Sequence, residues 1–134
     1  MGTLIDTSVL IAAERGYLRL DTVLTSHGDD PIAMSAVTAS ELMHGVHRAK
    51  TAVQRARAEL LVERLIGLMP VIPFDLSVAR VHARLSAELG AKGTPVGAHD
   101  LMIAATAVAM GFSVATRDRR SFPKIRGLAL QIWM

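Results

Sequence analysis

Residues 97–122, GAHDLMIAATAVAMGFSVATRDRRSF, decide how this chain folds. Within them LMIAATAVAM, residues 101–110, is rich in Leu, Ala and Met, and only Thr106 interrupts its apolar surface. That pattern predicts a buried helix, and Gly111 predicts a left-handed cap at its end. FSVAT, next in line, is a short β-rich run of the kind that fills the interior of a parallel sheet. Two carboxylates stand in this apolar segment, Asp100 in the first turn of the helix and Asp118 two residues after Thr116, where the strand runs out.

Taken singly, each acid has a plain structural use. A carboxylate in a first helical turn is stabilised by the unpaired N–H groups and the positive end of the helix dipole, which suits Asp100. Asp118 suits a turn in TRDRRS. A functional reading rests on what the rest of the chain brings to them.

Working outward to the start, TLI predicts a buried strand with Asp6 at its exit, followed by the helix SVLIAAERG. Thr7 or Ser8 is able to cap that helix, which leaves Asp6 free at the edge where open α/β sheets hold their ligands. YLRLDTVLTS predicts a second amphipathic helix and HGDDP a turn. IAM is a second strand, and Ser35 caps AVTASELMHGVHRAK, with Val37, Leu42 and Val46 inward. Glu41, one helical step beyond Val37, shares its face, although an exposed Glu is also an ordinary helix former. His44 makes an E-x-x-H pair with Glu41, but the second pair of a carboxylate-bridged metal bundle is missing. The other histidines have no metal-ligand spacing; His99, beside Asp100, is a candidate for substrate binding.

Residues 51–69 predict a charged outer helix, and Pro70 and Pro73 bracket a short strand, VI. Asp75 or Ser77 caps SVARVHARLSAELG, with Gly90 as its stop; AKGTPVGAH is the loop that leads to Asp100. Phe122 anchors the loop after Asp118 to the core, and LALQIW makes the last strand. Alternating strands and helices predict a three-layer α/β/α sandwich with a mostly parallel central sheet, one domain over residues 1–134. Asp6 and Asp118 then leave strands on the same edge, and Glu41 and Asp100 reach that edge from helix beginnings.

Composition bounds the function. The chain is 51% hydrophobic, yet no apolar run approaches the roughly 20 residues that span a bilayer. Its start lacks a basic n-region, and it has no cysteine for a disulfide or a thiolate metal site, so a cytoplasmic protein without a membrane role is expected. A net charge of +3 permits a polyanionic partner, and Arg117, Arg119, Arg120, Lys124 and Arg126 cluster around Asp118.

Four carboxylates within a few ångström raise one another's pKa unless protons or a cation compensate. Hard oxygen ligands favour Mg²⁺ or Mn²⁺ over Zn²⁺, and such an ion activates water against a phosphodiester. The arginines would hold the nucleic-acid backbone that the acids repel, which points to metal-dependent phosphodiester hydrolysis.

LIDTSVLI, SELMHG, HDLMIAATAVAMGFSVATRDRRSF and the closing GLALQIW together resemble a PIN-domain ribonuclease of the VapC toxin type, over nearly the whole chain. The resemblance implies that Asp6, Glu41, Asp100 and Asp118 form the catalytic and metal-holding acids around Mg²⁺ or Mn²⁺. Many members carry Asn where Asp118 stands. Thr116 and Ser8 support the site, and Arg117, Arg119 and Arg120 are RNA-binding candidates. It further implies a homodimer that cleaves structured RNA such as tRNA or ribosomal RNA and is silenced by a cognate antitoxin.

Three other readings fit less well. A phosphate-accepting receiver domain lacks its paired acids after the first strand here, and a DxDxT phosphatase lacks its second Asp. A noncatalytic RNA-binding or protein-interaction module on the same fold is the remaining alternative.

Overall fold

The computed structural model describes residues 1–133. In chain order it contains β1 (Thr3–Ile5), α1 (Thr7–Glu14), α2 (Leu20–Ser26), β2 (Ile32–Ser35), α3 (Ala36–His47), α4 (Ala52–Leu68), β3 (Val71–Ile72), α5 (Leu76–Ala91), α6 (Ala98–Met110), β4 (Ser113–Thr116) and β5 (Leu130–Ile132), with a 3₁₀ turn at Phe122–Lys124. The strands form one sheet in the order β3-β2-β1-β4-β5, and every neighbouring pair is parallel. The sheet is thus wholly parallel, beyond the mostly parallel one expected.

Side-chain alternation along the central strands assigns the two faces. Ile5, Met34 and Ala115 point into a core shared with α1 to α4, whereas their neighbours Leu4, Ala33 and Val114 point into a second core under α5 and α6. Each strand is therefore apolar on both sides, as parallel strands covered by helices must be. α6 is the most buried helix: Ile103, Ala104, Ala105 and Ala107 are all fully enclosed. Thr106, the one polar residue in that run, returns its hydroxyl to the Met102 carbonyl at 2.8 Å and so costs little inside the core. Phe122 is 1% exposed and anchors the loop after β4, as expected.

Helix ends follow the sequence signals with two corrections. Gly111 closes α6 at φ 69°, and Ser35 caps α3. Asp75, not Ser77, caps α5 by accepting from Val78 N at 3.1 Å. Gly90 does not close that helix; it lies inside, and the left-handed turn falls at Gly93, φ 62°. α2 begins at Leu20, three residues later than periodicity suggests, because Gly16 at φ 79° and the following residues turn the chain first. Among the described residues no helix is long and apolar enough to cross a membrane.

Candidate active site

β1 and β4 lie side by side, so the residues that follow them emerge together at the C-terminal edge of the sheet. Asp6 follows β1 and is 4% exposed. Contrary to expectation it is not left free by its neighbours: Asp6 is itself the N-cap of α1, in extended conformation and accepting from Ser8 N at 3.4 Å. The hydroxyls of Thr7 and Ser8 are committed elsewhere, and only Asp6 has the backbone geometry that a cap requires. Its Oδ2 also receives Ser8 Oγ at 2.7 Å and Thr116 Oγ1 at 2.8 Å. Burial pushes the Asp6 carboxyl above the ordinary value of 3.8, and these hydrogen bonds offset only part of that push.

Thr116 is fully buried at the end of β4 and works in two directions. While donating to Asp6, its hydroxyl accepts Asp118 N at 2.9 Å. Ser8 does the same one residue along, with Oγ accepting Arg117 N at 3.0 Å. These two hydroxyls sew the loop after β4 to the β1–α1 junction. Asp118 is partly buried, and its Oδ1 accepts Arg120 N at 2.7 Å, so the turn-forming use of this Asp is realised as well.

Asp100 stands in the first turn of α6, whose N-cap, Gly97, offers no side chain. Burial raises its pKa first; the Asp6 charge adds to that, the Ser121 hydroxyl opposes it, and Asp118 and Glu41 add smaller pushes in the same direction. The other three acids predicted from the sequence therefore all lie near enough to act on Asp100. Glu41, on α3, turns Oε1 to Thr7 Oγ1 at 2.7 Å and Oε2 to His99 Nδ1 at 3.3 Å. The imidazole that meets Glu41 is thus His99, not the His44 of the E-x-x-H pair. The residue of α3 that shares the enclosed side with Glu41 is Thr38, fully buried, whereas Val37 packs toward the other core.

The expected closeness of a few ångström is not reached by the whole quartet. Among the described residues no three acidic or imidazole side chains gather tightly enough to make a ready cation cage. Local donors hold three of the carboxylates: Ser8 and Thr116 for Asp6, Thr7 for Glu41, and Arg120 N for Asp118. Like charge also keeps them apart. Arg117 is half-buried, and Arg119 and Arg120 are exposed on the same loop. Among the described residues no Lys or Arg forms an ion pair with any of the four acids. The sequence suggests only a capping use for Thr7 and none for Thr38, yet Thr7 donates to Glu41 and Thr38 stands beside Thr7. The available signals were Thr7 adjoining Asp6, and Thr38 three residues before Glu41 on one helix face.

The sequence pattern of the PIN domain matches residues 3–128. The chain belongs to the PIN-domain family. Within that family it is 34% identical to "Ribonuclease VapC1" of Rickettsia felis over 96% of this chain and 93% of the relative. It is also 34% identical to the "tRNA(fMet)-specific endonuclease VapC" of Salmonella typhimurium, over 76% of this chain and 75% of that one. In three dimensions it matches a chain of the DNA-bound VapBC crystal structure from Salmonella typhimurium with a TM-score of 0.91 and 27% identity, covering 100% of this chain and 99% of that one.

In this PIN domain the four acids at the sheet edge offer carboxylate oxygens, two of them have raised pKa values, and among the described residues no Lys or Arg forms an ion pair with them. That donor set suits a hard divalent cation and offers nothing to a soft one.

Proposed function

We propose that this PIN domain is a Mg²⁺- or Mn²⁺-dependent endoribonuclease and the toxin of a toxin–antitoxin pair. One observation carries the reading: Asp6 at the β1–α1 junction, Glu41 on α3 and Asp118 in the loop after β4 all lie near enough to Asp100 on α6 to raise its pKa, and among the described residues none of the four has a Lys or Arg ion-pair partner. A structural ion-pair network would have brought its own cations. The names of the relatives support RNA as the substrate, and the tRNA-specific relative favours structured RNA such as tRNA.

Asp6 and Asp100 would hold the cation, with Glu41 and Asp118 contributing from farther out. When bound, it would polarise the phosphodiester and ease deprotonation of an attacking water. The chain's own residues do the rest. Thr116 and Ser8 fix the Asp6 carboxylate so that it does not reorganise as charge develops. The arginines of the loop, above all the exposed Arg119 and Arg120, bind backbone phosphates and offset the repulsion between RNA and the acids.

A VapB-type antitoxin is the inhibitor we assign to it, supported by the VapBC complex that its fold matches. A groove of about 340 Å³ between α1, α3 and α4, walled by Ile11, Leu42, Val46 and Val62 with Glu41 among its lining, suits an antitoxin segment that reaches the acids. A homodimer in the cytoplasm is part of the same reading. Induced expression in a bacterial host tests it. Growth arrest, with new RNA ends free of 2′,3′-cyclic phosphate because water and not the 2′-hydroxyl attacks, is the expected outcome, and Asp6→Asn should grow normally. Equal arrest by Asp6→Asn would contradict the nuclease, and absence of new ends would favour a noncatalytic binding module.

A further inference from the structure

We propose that Thr7 and His99 clamp Glu41 from opposite sides and set the position of its carboxylate, with the hydroxyls of Thr38 and Ser35 bracing Thr7 from within the core. The inference rests on the ribonuclease reading above and adds two positioning residues to it.

Glu41 leaves α3 partly exposed, with 31% of its side chain accessible, and a glutamate so placed ordinarily samples several rotamers. Here each carboxylate oxygen has its own partner on a different element. Oε1 receives the Thr7 hydroxyl at 2.7 Å from the start of α1, and Oε2 faces His99 Nδ1 at 3.3 Å from the first turn of α6. The Thr7 hydrogen bond fixes one oxygen, and the His99 contact limits the swing of the other.

Thr7 is built as the rigid side. It is 7% exposed and lies 3.2 Å from Thr38 Oγ1, which in turn accepts Ser35 Oγ at 3.2 Å; Thr38 and Ser35 are 0% and 1% exposed. A hydroxyl has one proton to give, and the carboxylate at 2.7 Å takes it in preference to the hydroxyl at 3.2 Å. Three successive residues thus serve the site: Asp6 as an acid, Thr7 as donor to Glu41 and Ser8 as donor to Asp6. His99 is the adjustable side, 62% exposed, and adjoins Asp100 in sequence. Because its ring turns Nδ1 to Glu41, Nε2 is left toward solvent or substrate.

The test uses purified full-length chain and variants that separate hydrogen bonding from packing. Thr7→Val keeps the shape and removes the donor, whereas Thr7→Ser keeps the donor. His99→Asn places its amide nitrogen where Nδ1 stands, whereas His99→Gln reaches only as far as Nε2. The measurements are kcat and KM on one RNA, the Mn²⁺ dissociation constant by electron paramagnetic resonance without RNA, and Tm as a control for folding. Thr7→Val is expected to lower kcat and weaken Mn²⁺ binding, each about 10- to 100-fold, with KM within about threefold and Thr7→Ser near the parent. His99→Gln and His99→Ala should lose more kcat than His99→Asn, by several-fold. A folded Thr7→Val that matches the parent in kcat and Mn²⁺ affinity overturns the clamp, and so does equal loss in Thr7→Val and Thr7→Ser. If Thr7→Val does not fold, the His99 pair decides: equal kcat in His99→Asn and His99→Gln overturns the His99 side. A parent that cuts no RNA with either cation overturns the ribonuclease reading instead, and Mn²⁺ affinity in the Thr7 pair still tests the clamp.

Discussion

The hydroxyl of Thr116 donates to Asp6 Oδ2 at 2.8 Å across 110 positions of sequence, joining the ends of two adjacent parallel strands. Thr116→Val keeps the bulk and removes the only proton that β4 gives to this acid. It is expected to lower kcat about 10- to 100-fold, with Thr116→Ser close to the parent, since loss of a hydrogen bond behind an acidic ligand has effects of that size. Steady-state kinetics on a defined RNA would show this, and a fully active Thr116→Val would contradict it.

The raised pKa values of Asp6 and Asp100 imply a stability cost at neutral pH in chelator-treated protein. A carboxyl whose folded pKa lies above its unfolded value favours folding at low pH, and that contribution is lost as pH rises through the folded value. Asp100→Asn should therefore raise Tm at pH 7, and the gain should shrink toward pH 4. Thermal melts at both pH values check this; a lower Tm at pH 7 would contradict it.

Asp75 works with the opposite sign. Val78 N–H, followed by the Ser77 hydroxyl, holds its pKa below 3.8, so its contribution is complete above the unfolded value and is lost as pH falls through the folded one. Asp75→Ala should lower Tm at pH 7 and matter less in stronger acid, while Asp75→Asn, still able to cap, should change little. Acid titration of stability for the two variants separates these outcomes.

Gly90 and Gly93 offer a paired test of where α5 ends. Gly90 is helical and a Cβ there would meet nothing within 4 Å, so Gly90→Ala should stabilise the protein by about 0.5–1 kcal/mol. Gly93 has φ 62°, where an L side chain is strained, so Gly93→Ala should destabilise it by about 1 kcal/mol. Chemical denaturation measures both.

Arg119→Ala and Arg120→Ala should each weaken RNA binding several-fold and reduce the slope of log K against log salt by about 0.7–0.9. Filter binding with Asp100→Asn as the uncleaving parent reads the slope directly. A slope identical to that parent would remove the residue from the interface.

The fold was legible because its signals were local. The all-round apolar run before Gly111, the strand fragments TLI, IAM and SVAT, and Asp6 and Asp118 just past strands all follow from residues near one another in sequence. What sequence could not supply were contacts across elements. The choice of Asp6 over Thr7 as the cap of α1 depends on Thr7 being drawn to Glu41, 34 residues away, and on Ser8 being shared between Asp6 and the chain after β4. His99 likewise meets Glu41 only because α3 and α6 pack together, a contact that its place beside Asp100 in the sequence does not reveal. Gly90 resembles a stop, but α5 runs on to Ala91 and Lys92 caps it, because the left-handed turn is taken at Gly93 instead.

The central claim is divalent-cation chemistry at Asp6 and Asp100. Its most direct test is cleavage of total bacterial RNA by the purified chain with Mg²⁺, with Mn²⁺ and with chelator, run beside Asp100→Asn. Discrete fragments that need the cation and vanish in the variant are the expected result. Cleavage that persists in chelator, or in Asp100→Asn at the parent rate, would contradict it.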